Sequence, residues 1–296
     1  MAASTAVHSN AFNFLSYLQG GVDPRTGQYT VAISMPAFKA NNLAGPELTL
    51  QLGFNPLNAH DMGCGLGWSL QRTEYDPVRS IISLSSGETF KVNGVLPGME
   101  GLCEIEEQKI LSFKLYDKGN GRYLVAHKSG QLEELEEVGR AGSKIALPVR
   151  LHSFEGRTVS LYYEDTDFPL LLTRIEDEQA QTIFISTRDS DNNVMMHLHP
   201  YAGEQGTPLA TFELLLDGDN TVKSIVLPTP ERANWRFKYQ QDPVTGLMFI
   251  VQAHTPVGGQ EDITYDWSGH PLPPGAFSAT LPRVTHWQRD PGFGQG

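Results

Sequence analysis

The chain has 296 residues, 40% of them hydrophobic, enough for one large or two modest domains with a real core. Its formal net charge of −12 weighs against nucleic acid and against anionic membrane surfaces as partners. No apolar run approaches the ~18 residues that a membrane-spanning helix needs.

The first residues, MAASTAVHSNAFNF, lack the basic start and apolar block of a secretory signal. The expectation is a soluble protein made in the cytoplasm without a classical signal peptide and secreted, if at all, by a specialised system. Residues 1–10 read as a flexible arm. Asn10 can cap a short N-terminal helix through Gln19, with Phe12, Leu15, Tyr17 and Leu18 roughly on one face and Gly20 and Gly21 ending it. Asp23-Pro24-Arg25-Thr26-Gly27 is then a turn, proline fixing φ and glycine leaving it free.

From there the apolar period is two. Tyr29, Val31, Ile33 and Met35 form one run, and Leu48, Leu50, Leu52 and Phe54 another, each a strand with one buried face. Gly63-Cys64-Gly65-Leu66-Gly67-Trp68 packs three glycines into five residues, so the backbone passes close to a neighbour there or bends sharply. Hairpins follow around Ser86-Gly87, Lys118–Gly121 and Ser129-Gly130. Leu132, Leu135 and Val138 have helical spacing, but the preceding turn favours a returning strand, and strand is the reading taken. A loop-like stretch over 139–148 divides an N-terminal β region, 11–140, from a second region, 149–296.

The second region repeats itself. Val159-x-Leu161-x-Tyr163 is followed at fixed intervals by Leu171 and Ile175, and Trp235-x-Phe237-x-Tyr239 at the same intervals by Leu247 and Val251. Phe212-x-Leu214-x-Leu216 precedes a turn at Gly218-Asp219-Asn220, and Ile263-x-Tyr265 precedes one at Ser268-Gly269. These are degenerate copies of one device of strand, polar turn and returning strand, which buries a face only by stacking on its neighbours.

Several stretches carry a family likeness: FNFLSYLQGGVDPRTGQYTVAISMP, LTLQLGFNPLNAHDMGCGLGWSL, SLSSGETFKV, HKSGQLEEL, and TPVGGQEDITYDWSGHPLP before LPRVTHWQRDPGFGQG. Over roughly residues 10–296 the chain resembles the amino-terminal portion of bacterial Rhs/YD-repeat proteins, the polymorphic-toxin shells related to the C components of insecticidal toxin complexes. The resemblance implies an all-β fold of serial antiparallel hairpins, curved into a sheet or partial cocoon of YD-repeat type. It implies a non-catalytic shell segment that encloses or presents a toxin. Its partners would be other shell segments or a toxin cargo, with a secretion-apparatus or chaperone protein as a further possibility. The tandem repeats, the self-cleavage segment and a cargo are not in this sequence. A partial shell is expected to leave a sheet edge unpaired.

Motifs for chemistry are sparse: no G-x-S-x-G elbow, no H-E-x-x-H and no Walker A loop occurs. Asp165/Asp167, Asp189/Asp191 and Asp217/Asp219 sit at polar turns and read as turn-formers before catalytic pairs. The Asp189 segment starts like a calcium loop but has Val194 and Pro200 at its sixth and twelfth positions. His197-x-His199 would share one side of a strand without a third ligand. Cys64 and Cys103 fit no metal or disulfide spacing and read as small buried residues. Glu133, Glu134, Glu136 and Glu137 read as a solvated face. No catalytic residue, metal or cofactor is expected. The alternative function is a carbohydrate- or protein-binding β module, for which Trp68, Trp267 and Trp287, beside glycine or polar turns, are the candidate ligand-binding aromatics, while Trp235 belongs to a strand's core set.

Overall fold

Alternation of apolar and polar residues becomes antiparallel strand pairing along the chain. The computed structural model describes residues 18–24, 26–42, 44–58, 61–108, 110–139, 144–164, 170–272, 274 and 278–292. Among them there is no α-helix; a 3-10 turn spans Glu204–Gly206.

A four-stranded sheet takes β1 (Leu18–Val22), β2 (Tyr29–Ser34), β5 (Gln51–Phe54) and β6 (Trp68–Gln71), in that spatial order, with the small hairpin β3 (Phe38–Lys39) and β4 (Glu47–Leu48) inserted. The helix expected over 10–19 lies outside the described residues except at Leu18 and Gln19, and these two are strand, paired with Ile33 and Ala32. Gly20 and Gly21, expected to stop that helix, continue the strand. The reason is steric: a Cβ on Gly20 would stand 2.8 Å from the Tyr29 hydroxyl, so only glycine lets this strand cross that side chain. The turn at 23–27 closes as expected, Gly27 N–H donating to Asp23 O at 2.7 Å.

The second sheet begins with β7 (Glu74–Asp76), β8 (Ile81–Ser83), β9 (Thr89–Val95), β10 (Cys103–Ile105), β11 (Phe113–Gly119), β12 (Arg122–His127), β13 (Leu132–Val138) and β14 (Ile145–His152). Tyr75 of β7 folds back opposite Ala146 of β14. Leu115, Val125, Leu135 and Ile82 fill the small core between them. QLEELEEV is the strand β13, with Leu135 fully buried.

From β14 the sheet runs on as a strip of sequential hairpins: β15 (Thr158–Tyr163), β16 (Leu172–Asp177), β17 (Thr182–Arg188), β18 (Val194–Leu198), β19 (Ala210–Leu216), β20 (Val222–Val226), β21 (Asn234–Gln241), β22 (Met248–His254), β23 (Gln260–Pro271) and β24 (Thr280–Asp290). Each strand pairs with the next, and the sheet stays open: among the described residues no strand pairs with the outer edge of β24. One face of the strip buries Val159, Ile175, Val194, Leu214, Trp235 and Ile263 against Val31, Leu52 and Phe54 of the four-stranded sheet, forming the larger core.

The repeated residues have a physical job. Tyr163, Tyr239 and Tyr265 each donate a hydroxyl hydrogen bond to a carbonyl on the preceding strand, Pro148, Val222 and Ile250, at 2.8, 2.7 and 2.9 Å. Asp189 and Asp217 begin hairpin turns, where Oδ1 accepts the N–H two residues on; Asp266 makes the same bond to Ser268, but the turn expected at Ser268-Gly269 is a bulge inside β23, which pairs with β24 on both sides of it. Tyrosine thus ties β15, β21 and β23 each to the preceding strand, and aspartate folds the chain back at the turns after β17 and β19. Tyr265→Phe keeps the ring but strands the Ile250 carbonyl, and is expected to lower unfolding free energy by about 1–2 kcal/mol in urea denaturation.

Candidate functional surface

Two buried polar clusters weld the N-terminal sheet to the strip, and both involve segments singled out in the sequence. The first holds the glycine-rich loop. Asp61 Oδ1 accepts from the N–H groups of Gly63 and Gly65 at 2.7 and 2.8 Å, while Oδ2 accepts from Arg188 Nη2 at 2.5 Å and Asn220 Nδ2 at 2.6 Å. Asp61 and Arg188 are about nine-tenths buried, with side-chain exposures of 10% and 9%. The three glycines are there for close approach, as expected: a Cβ on Gly63 would come within 2.8 Å of the Leu171 Cα, and one on Gly65 within 3.1 Å of the Asn220 carbonyl. Cys64, within this loop, is buried, and burial pushes its thiol up to about 12.

Trp68, the residue closing that loop, is fully buried. Phe237 and Phe54 pack against it at 5.0 and 5.5 Å between ring centroids, and its indole N–H donates to the Tyr239 hydroxyl at 2.9 Å. It therefore presents no face to a ligand. Trp267 is half-buried, set edge-on to Phe249 at 5.7 Å and tilted against Tyr265. Trp287 alone of the three is exposed, at 40%.

Trp287 belongs to the second cluster. Glu261, 1% exposed, accepts from the Tyr29 hydroxyl at 2.8 Å, the Trp287 indole N–H at 2.9 Å, and Arg289 Nε and Nη2 at 2.9 and 2.6 Å. Burial and the neighbouring Glu261 carboxylate raise the Tyr29 hydroxyl's pKa, so it remains a donor. This carboxylate joins β2 to the last hairpin, and nothing in the local sequence announced it.

The remaining candidates resolve into local structure. Asp189 and Asp217 are turn staples, each also accepting the N–H four residues on, at 2.8 and 2.9 Å. Hydrogen bonds from Asn193 hold the Asp189 carboxyl below its usual range. Asp165 and Asp167 lie outside the described residues. His197 and His199 do not share a strand side: β18 ends at Leu198, and His199 has φ 44° and starts a turn. His197 instead meets the Thr211 hydroxyl at 2.9 Å, and burial lowers its pKa.

The acidic run is a solvated face only in part. Glu133 is 5% exposed beside Leu135 on the inward side of β13 and bonds to His127 at 2.7 Å, while Glu134 meets His152 and Glu136 meets Arg122. Strand alternation turns Glu133 inward, and the histidine compensates its burial. Among the described residues no group of three or more His, Cys, Asp or Glu is placed to hold a metal, and no helix is long and apolar enough to cross a membrane. A groove of about 450 Å3 lies between Gly45–Glu47 and the turns at Ser129 and Phe154.

No family model matches this chain, and no curated protein matches it. Solved structures do resemble it. A crystal structure of TcdB2–TccC3–TEV matches with a TM-score of 0.50 at 13% identity, covering 88% of this chain and 17% of that one. The Photorhabdus luminescens Tc holotoxin pore carrying a TccC3 mutation matches at 0.43 and 10% identity, covering 92% and 19%. The N-terminal domain of the effector SpvB from Salmonella typhimurium matches at 0.35 and 10%, covering 87% and 99%. The chain thus spans about a sixth of the length of the first of these, and at this identity the likeness is one of fold alone.

Proposed function

We propose that the chain is a non-catalytic wall segment of Rhs/YD-repeat type, which encloses or presents a toxin or partner polypeptide. One observation carries this reading: a continuous strip of hairpins, tied by tyrosine hydroxyls and folded by aspartate turns, sealed along one face by the N-terminal sheet. Such a strip presents a long continuous sheet, which suits a surface that confines. The fold likeness to the TcdB2–TccC3 structure supports the same reading. The protein would be made in the cytoplasm and delivered by a specialised secretion route, its partners being further shell segments or cargo.

A second reading, a carbohydrate-binding module, has Trp287 in its favour, since an exposed indole at a sheet edge can stack on a sugar. Two assays on the purified chain separate them. A permanently unfolded polypeptide, reduced carboxymethylated α-lactalbumin, is expected to be retained and digested more slowly by trypsin in the presence of the chain. A glycan array is expected to stay blank. Glycan binding abolished by Trp287→Ala, with no protection of the unfolded probe, would replace the wall by the binding module. Turnover on glycosidase or esterase substrates would overturn both.

A further inference from the structure

The chain leaves its larger core at one point and comes back beside it. Strands β7 to β14 curl round a core of their own, with Ile82, Cys103, Leu115, Val125 and Leu135, which shares no side chain with the core joining the N-terminal sheet to the strip. β7 meets β14 at Tyr75 and Ala146, and β10 meets β11 through the bridge between Leu102 and Tyr116. The chain enters this set of strands at Arg72-Thr73 and leaves it at Pro148. There β14 changes neighbours: Ala146 faces β7, whereas Arg150, Leu151 and His152 face β15. Pro148 has no N–H to give to a ladder, and the register slips beside it, between Glu134 and Leu135. Both crossings touch one side chain. The Tyr163 hydroxyl donates to the Pro148 carbonyl at 2.8 Å, and the Arg72 guanidinium, which donates to the Leu170 carbonyl, lies 5.3 Å from the centre of the Tyr163 ring. Elsewhere the two bodies part at the groove of about 450 Å3 between Gly45–Glu47 and the residues Ser129 and Gln131.

We propose that residues 73–148 unfold and refold as one unit while the larger core stays intact, with Tyr163 as the clasp on both of its ends. An insert whose ends lie together can come undone without pulling its host apart. Regions that open below the global unfolding free energy are contiguous units of this sort, each with contacts mainly of its own. The insert is the one to open first, because its core is the smaller and the Glu133 carboxylate is buried beside it. Such a device lets one end of the strip loosen and re-form while the rest keeps its shape. The inference rests on the two cores and their shared clasp, and does not depend on the wall reading.

Each core holds one buried cysteine, Cys64 in the larger and Cys103 in the smaller, so alkylation by N-ethylmaleimide reads the two openings separately in the intact chain. Labelling is followed by peptide mass spectrometry at urea concentrations below the unfolding transition, where it detects an open form even when that form is scarce. Cys103 is expected to react faster than Cys64 and with a shallower urea dependence, since its opening exposes less surface. Leu52→Ala cuts the larger core and so destabilises the native and part-open forms alike. It is expected to raise Cys64 labelling at least ~30-fold and to leave Cys103 labelling unchanged. Ile33→Val, a gentler cut in the same core, is expected to show the same asymmetry at about fivefold. Tyr163→Phe is expected to raise Cys103 labelling about tenfold. Tyr265→Phe loses the same kind of bond inside the strip and is expected to leave Cys103 as protected as in the parent. One common rate for both thiols, rising together in Leu52→Ala, overturns the proposal. Cys103 labelling that ignores urea also overturns it, since that marks fraying of β10 alone, as does a Tyr163→Phe chain whose Cys103 is no more reactive than the parent's.

Discussion

Trp68→Ala is expected to lower the unfolding free energy by about 4 kcal/mol, because a fully buried aromatic leaves a cavity that its neighbours fill only in part. The site has little room to collapse. Phe54 lies on β5 and Phe237 on β21, so the two rings that flank the indole belong to different sheets and cannot close together without moving one sheet against the other. The substitution also removes the donor to Tyr239, whose hydroxyl meanwhile donates to the Val222 carbonyl. Trp68→Phe separates the two contributions: it keeps a ring in the gap, loses the N–H, and is expected to cost about 1–2 kcal/mol. Urea denaturation followed by far-ultraviolet circular dichroism measures both, with unchanged m-values showing that the folded baseline is intact. An alanine variant as stable as the parent would mean that the two sheets do not share this core.

The legibility of this fold tracks the range of the interactions. Period-two runs such as Tyr29–Met35 and the aspartate turns at Asp189 and Asp217 are local, so hairpins could be read directly from spacing and turn residues, whereas the turn expected at Ser268-Gly269 is a bulge in β23, because pairing with β24 carries that strand past it. Even β13, whose leucines are spaced for a helix, was readable because the Ser129-Gly130 turn precedes it. The reading failed where the partner is remote. Leu18 and Gln19 are strand because β2 and the Tyr29–Glu261 bond organise that region, and no window of a dozen residues contains Glu261, 232 positions away from Tyr29. His199 departs from its expected side because β18 ends one residue too early, a boundary set by the turn that follows.

The candidate surface divides in the same way. Glycines at 63, 65 and 67 signalled a close approach, and the structure has one there, but the sequence held no sign that Asp61 would be the residue to organise it. Exposure separates the three tryptophans, and exposure depends on which sheet covers which. Trp68 lies between sheets, Trp267 lies beside the core, and Trp287 lies at an edge.

Asp61→Ala is the sharpest test of how the two sheets are joined. Its carboxylate spends four hydrogen bonds: two hold the glycine loop in its tight turn, and two reach across 127 and 159 residues of sequence to Arg188 and Asn220. Removing one member of a buried ion pair is expected to cost about 3–5 kcal/mol, since the guanidinium keeps its desolvation penalty and loses the carboxylate that offset it. Asp61→Asn retains an oxygen for the loop N–H groups but brings an amide N–H toward Arg188, and is expected to fall between the alanine variant and the parent. The two readings of the cluster differ in what a second substitution does. If the pair works as a unit, Asp61→Ala combined with Arg188→Met should be less destabilised than the sum of the single changes by more than about 1 kcal/mol, because the orphaned charge has gone with its partner. Additive losses in that cycle would show that the glycine loop is held by its backbone contacts and that Arg188 serves the β17 turn alone.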